Sequence, residues 1–147
     1  LGFKMPTEKT YAEWQQHYGL GDTEELTADH EIAMFSEYVS TMITDFPEMT
    51  SPFWNMSRHE GGGTSKKIDV ILGGMETIGS AERSTDVEQM RDTFHTITDG
   101  AYSKLLFDLF GKERVEAELE KFLEFDFFPR VGGGIGMTRM IAALDTK

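Results

Sequence analysis

Apolar side chains recur along this chain with two different periods, and the switches between them lay out the elements. From Thr10 to Tyr18, the residues Tyr11, Trp14 and Tyr18 return at near-helical spacing until Gly19 and Gly21 stop them, which predicts a short helix. From Thr27 to Met42, Ile32, Phe35, Val39 and Met42 recur at helical intervals behind Thr27 or Asp29 as the cap. A longer helix with one packed face is expected there. The period then shortens. Thr41 to Phe46 leans toward β-structure and ends at Pro47, and Pro52 to Met56 begins another extended piece.

Gly61-Gly62-Gly63 reads as a loop joining two strands. Lys67 to Leu72 is β-branched and half alternating, Gly73-Gly74 supplies a tight turn, and Met75 to Arg83 runs back beside it, so a hairpin is expected. Thr85-Asp86-Val87-Glu88 carries the reciprocal capping pattern, and Val87, Met90, Phe94 and Ile97 line one helical face behind it. Ala101 to Phe110 and Lys112 to Phe122 predict two more helices broken at Gly111, the second turning Val115, Leu119 and Phe122 inward. The sum is an α+β fold, an antiparallel sheet flanked by helices, rather than alternating βαβ units.

After the extended Phe125 to Pro129 come four glycines in five positions, Gly132, Gly133, Gly134 and Gly136. A helical pattern follows, with Met137, Met140, Ile141 and Leu144 on one face and Arg139 off it. A floor without side chains and one guanidinium suit a flat, polyanionic ligand that lies close to the backbone. The stretch does not fit the common phosphate loops, because no Lys-Ser or Lys-Thr pair follows and the dinucleotide spacing is absent.

Charge narrows the ligand. With 26 acidic against 14 basic side chains the formal net charge is -12, which repels phosphate backbones at long range and argues against broad nucleic-acid contact. An anion must therefore be met locally, by arginines or a metal. There is no cysteine, so disulfides and thiolate metal sites are excluded, as fits a reducing compartment. No apolar run reaches the length of a membrane span, no secretory leader is visible, and a soluble cytoplasmic protein without membrane contact is expected. A first residue of Leu1 rather than methionine suggests an internal or processed piece. The four histidines show no metal-ligand spacing.

The hairpin carries a second constellation. Asp69 and Glu76 lie seven positions apart but on strands that run side by side, so their carboxylates are able to share a Mg²⁺, which takes a few carboxylates plus waters and substrate phosphates. Period-two counting sets Glu76, Ile78, Ser80 and Glu82 on one face and Gly79, Ala81 and Arg83 on the other. Glu76 and Arg83 then face opposite ways unless a bulge intervenes, and Gly79 is the expected place for it.

Four segments in order carry a family resemblance: Asp45-Phe46-Pro47 with Ser51-Pro52-Phe53-Trp54; Ile68-Asp69-Val70-Ile71; Glu76-Thr77-Ile78-Gly79-Ser80-Ala81-Glu82-Arg83; and Gly132-Gly133-Gly134-Ile135-Gly136-Met137-Thr138-Arg139. Together they resemble the C-terminal half of class II aminoacyl-tRNA synthetase catalytic domains of the aspartyl/asparaginyl type, from about Met42 to Leu144, with motif 3 at 132–144. The resemblance implies activation of aspartate or asparagine by ATP to an aminoacyl-adenylate, as in a ligase of protein biosynthesis. It implies that Arg139 holds the ATP γ-phosphate, that Gly134 and Gly136 line the nucleotide site, that Asp69 and Glu76 serve Mg²⁺, and that Arg83, with Ser80 near it, reads the amino-acid side chain. Arg139 and Glu76 are then the catalytic pair. Motif 1, which builds the family's dimer interface, and motif 2 have no match here: either these residues are the C-terminal half of a longer protein, for which the resemblance implies a homodimer, or the chain is a short relative that does not activate amino acids unaided.

Thr138 stands where the tRNA ligases commonly have an acidic residue, Pro129-Arg130 replaces their usual Pro-His, and Phe53-Trp54 their Phe-Tyr. In these details the chain is similar to the ammonia-dependent asparagine synthetases, which pass aspartyl-adenylate to ammonia instead of tRNA. The hydroxyl residue of the family's motif is one step late, with Gly79 in its place and Ser80 after it. A silent, adenylate-binding or regulatory relative is the third reading.

Overall fold

The computed structural model describes residues 5–145; Leu1 lies outside them. Five strands form one sheet in chain order: β1 (Thr7–Thr10), β2 (Ser40–Pro47), β3 (Thr64–Leu72), β4 (Met75–Arg83) and β5 (Arg130–Ile135). β1 pairs in parallel with β2, and every later pairing is antiparallel. The expected hairpin is β3 and β4, turning at Gly73 and Gly74, both at positive φ.

Helix α1 (Tyr11–His17) starts at Thr10, whose hydroxyl accepts from the Glu13 N–H at 3.2 Å while Glu13 Oε2 accepts from the Thr10 N–H at 2.7 Å. Helix α2 (Ala28–Tyr38) is shorter than its periodicity predicts. Val39 takes a φ of 65° and breaks it, and Met42 is drawn into β2 by ladder pairing with Val70. Trp14 and Tyr11 from α1 and Met34 from α2 bury against Ile43, Phe46 and Ile71, which share one sheet face.

Helices α3 (Val87–Thr96), α4 (Ala101–Phe110) and α5 (Lys112–Leu123) form a separate helical layer around Trp54, Met90, Phe94, Val115, Leu119 and Leu123. The cap of α3 is Asp86, whose Oδ1 accepts from the Gln89 N–H at 3.0 Å, and not Thr85. Glu88 is therefore free of the reciprocal cap and pairs with Arg91 at 2.7 Å.

Two further expectations change. Pro52 to Met56 is not a strand and contributes only an isolated bridge from Met56 to Arg83. The glycine run is itself strand β5, held by pairing with β4 despite its poor intrinsic β-propensity. Helix α6 (Met137–Asp145) follows at once and buries Ala143 against the Gly73 turn, while Met137 and Ile141 from the expected apolar face remain exposed. Among the described residues no helix is long and apolar enough to cross a membrane.

Candidate active site

The β3–β4 register slips between Val70 and Ile71: Val70 pairs with Ile78, but Ile71 pairs with Glu76. The extra residue is Thr77, so the bulge lies there and not at Gly79. Thr77 is buried, and its hydroxyl is placed to donate to the Leu72 and Met75 carbonyls at 3.3 and 3.1 Å, which stabilises the irregular turn. The consequence is a change of face. Glu76 joins Asp69, Gly79 and Arg83 on one side of the sheet.

Gly79 lies directly opposite Asp69. A Cβ on Gly79 would sit 2.8 Å from Glu76 Oε1 and 3.2 Å from Asp69 Oδ1, so the two carboxylates reach into the space that the glycine leaves open. On the other flank of β4, Gly134 pairs with Gly79, and a Cβ on Gly134 would meet nothing within 4 Å. Gly136 donates its N–H to the Thr77 carbonyl at 2.8 Å and accepts from the Met140 N–H at 2.8 Å, fixing the start of α6 beside the bulge. From that first turn, Arg139 Nη1 donates to the Glu76 carbonyl at 2.7 Å. Glu76, Gly134, Gly136 and Arg139 thus line one open cleft of about 330 Å³.

A neighbouring cleft of about 240 Å³ runs on to Arg83. Arg83 Nη1 donates to Asn55 Oδ1 at 3.2 Å and Nη2 to the Gly132 carbonyl at 3.3 Å. A Cβ on Gly132 would lie 3.1 Å from Arg83 Nε, so the glycine makes room for the guanidinium. Asn55 is held in place from both sides: its carbonyl accepts from the Ser84 N–H, and buried Arg58 donates to the carbonyls of Pro52 and Met56. Gly133 faces the other way, where a Cβ would be 2.6 Å from the Gly79 carbonyl and Ser80 Cβ.

The sequence model of the family described as "tRNA synthetases class II (D, K and N)" matches residues 4–147. The chain belongs to this family. The class II fold is equally visible in solved structures: an asparaginyl-tRNA synthetase from Entamoeba histolytica in complex with asparaginyl-adenylate superposes with a TM-score of 0.72 at 17% identity, covering 99% of this chain and 33% of that one. An aspartyl-tRNA synthetase from the same organism gives 0.71 at 18% identity, covering 95% and 29%. The Pyrococcus horikoshii asparaginyl-tRNA synthetase with asparaginyl-adenylate also gives 0.71 at 18%, covering 95% and 31%. This class II synthetase chain therefore spans about a third of the length of these structures. No curated protein matches it.

Electrostatics set the class II cleft apart from a surface hairpin. Asp69 is 5% exposed, and burial pushes its carboxyl up to about 6, although Lys67 beside it pulls the other way and Glu76 and Glu31 add to the rise. Asp69 Oδ2 accepts from Lys67 Nζ at 2.5 Å, whereas Oδ1 is buried and has no hydrogen-bond partner among the described residues. Glu31, from α2, accepts the Glu76 N–H at 2.9 Å, and burial raises its carboxyl as well. The Glu76 peptide is gripped at its N–H by Glu31 and at its carbonyl by Arg139.

An orphaned Asp69 oxygen and Glu76 Oε1 meeting over a glycine are a fitting donor set for Mg²⁺, which takes one or two carboxylates and completes its shell with water and phosphate. Among the described residues no group of three or more His, Cys, Asp or Glu side chains forms a metal cage. A metal held here would complete its shell with water and with oxygens of a bound substrate.

Of the residues expected from sequence, Asp69, Glu76, Arg83, Gly134, Gly136 and Arg139 come together. Ser80, paired with Ile68 and Gly133, borders the Arg83 cleft and also lines a groove with Thr44 and Glu82 on the opposite face. Glu31 and Asn55 belong to the site and were not anticipated; each arrives from a distant segment through tertiary packing, with no local spacing to mark it.

Proposed function

We propose that this chain carries the ATP and metal part of a site that activates aspartate or asparagine to its adenylate. The observation that supports this best is the meeting of Asp69 Oδ1 and Glu76 Oε1 over Gly79, next to the Arg139 guanidinium. The neighbours solved with asparaginyl-adenylate support the same reading.

In this reading the substrate carboxylate attacks the α-phosphate and pyrophosphate leaves, so no side-chain nucleophile is needed. Asp69 and Glu76 hold Mg²⁺, which when bound offsets phosphate charge. Arg139, anchored through Nη1 to the Glu76 carbonyl, presents its other donors to the γ-phosphate. Gly134 and Gly136 give the nucleotide a floor without side chains. Arg83, fixed by Asn55 and the Gly132 carbonyl, orients the side-chain end of the amino acid. We read residues 132–144 as motif 3, with motifs 1 and 2 contributed by sequence outside these residues, and a homodimer serving tRNA as the intact form.

A second reading keeps the same ATP chemistry but activates the side-chain carboxylate of aspartate, and ammonia displaces AMP from that β-adenylate to give asparagine. Thr138 and Arg130 favour it; Arg130 is committed to the Ser84 and Phe128 carbonyls rather than to the cleft. ATP–pyrophosphate exchange tests both. Exchange with asparagine supports the tRNA ligase, and exchange with aspartate followed by asparagine release on adding ammonia supports the synthetase. A chain that binds ATP and exchanges with neither amino acid is the silent relative.

A further inference from the structure

Lys67 shares the sheet face of Asp69, two residues before it on β3 and opposite Ala81. Its ammonium is held from two sides, by Asp69 Oδ2 at 2.5 Å and by the Phe46 ring, whose centroid is 3.8 Å away. The carboxylate is therefore divided. Oδ2 belongs to Lys67, and only Oδ1 is left for the space over Gly79 into which Glu76 Oε1 also reaches.

We propose that Lys67 is a tethered counter-cation of this carboxylate pair, which keeps a divalent ion off the free protein until a nucleotide brings it. The inference rests on the reading of Asp69 and Glu76 as the metal-holding pair. Asp69 and Glu76 together present two negative charges, and Glu31 and Arg139 flank them with one charge of each sign. The Lys67 ammonium cancels one more and removes one of the oxygens that a metal would use. An incoming dication thus meets about half the attraction that the bare pair would exert. The phosphates of ATP restore the missing charge and the missing oxygens, so metal and nucleotide enter together.

Mn²⁺ titration followed by electron paramagnetic resonance tests this on the whole chain, with and without ATP. Lys67→Met keeps the aliphatic stem over Phe46 and removes the charge; Lys67→Arg keeps a charge. Lys66→Met is the control, since Lys66 pairs with Glu82 on the opposite face. The expected result is about tenfold tighter Mn²⁺ binding by Lys67→Met in the absence of ATP, with Lys67→Arg and Lys66→Met like the parent and a difference of less than about threefold once ATP is present. Equal free-protein affinities for the parent and Lys67→Met, with ATP-dependent Mn²⁺ binding intact, would overturn the role of Lys67 alone. Equal tightening by Lys67→Arg would overturn it too. Absence of Mn²⁺ binding in every variant, with ATP as well as without, would remove the metal-holding pair itself.

Discussion

Arg139 and Glu76, sixty-three positions apart, meet through a 2.7 Å hydrogen bond from Nη1 of the one to the backbone carbonyl of the other. The bond ties the first turn of α6 to the bulged start of β4. Because it uses the Glu76 main chain, the Glu76 carboxylate stays free for the space over Gly79.

Arg139→Ala should weaken ATP binding by about ten- to a hundredfold, the loss of one charge-assisted hydrogen-bonding group, and AMP binding by less than threefold. Calorimetric titration with the two nucleotides measures this. Equal losses would place Arg139 in a purely structural role.

Gly79→Ala and Gly133→Ala separate chemistry from folding. An alanine methyl at 79 enters the carboxylate space 2.8 Å from Glu76 Oε1, a side-chain end that is able to move, so the fold should survive while Mg²⁺-dependent ATP binding falls at least tenfold. At 133 the methyl meets backbone at 2.6 Å, and the expected cost is about 1–3 kcal/mol, read as a lowered thermal midpoint. A Gly133→Ala protein as stable as the parent would contradict the close β4–β5 approach.

Asp69 supplies the pH dependence. Its folded-state value of about 6 lies above the ordinary 3.8, so its contribution to stability is fully present below about 3.8 and is lost as pH rises through about 6, where burial opposes ionisation. Asp69→Asn should therefore stabilise the metal-free chain at pH 7.5 by about 1–3 kcal/mol and have little effect at pH 4. Urea unfolding at the two pH values checks it; destabilisation at pH 7.5 would mean that the Lys67 pair outweighs the burial cost.

How much of this was legible in the sequence depends on the range of the interaction. Asp69, Glu76 and Arg83 flank a two-glycine turn, and strand geometry alone brings the first two near each other. Their common face was not legible, because it depends on a bulge whose position is set by Thr77 bonding back to the turn carbonyls, while Gly79 offered the more obvious local signal. The glycine run reads locally as loop, and only the pairing partner makes it a strand. Glu31 and Asn55 are brought in by helix and loop packing.

Arg83→Ala should abolish amino-acid-dependent activity and leave ATP binding within about twofold, since the Arg83 guanidinium is bonded to Asn55 and the Gly132 carbonyl at the far end of the cleft from Arg139. Asn55→Ala removes one of the two acceptors that hold the guanidinium and should raise the amino-acid KM by about three- to tenfold with a smaller change in kcat. Exchange kinetics resolve the two, and loss of ATP binding in Arg83→Ala would contradict its assignment to the amino-acid end.

The most direct test of the account is calorimetric titration of ATP into the chain with and without Mg²⁺, repeated for Asp69→Asn and Glu76→Gln. The account predicts ATP binding that depends on Mg²⁺ in the parent and loses that dependence in both variants. ATP binding of equal strength with and without Mg²⁺, unchanged by either substitution, would contradict it.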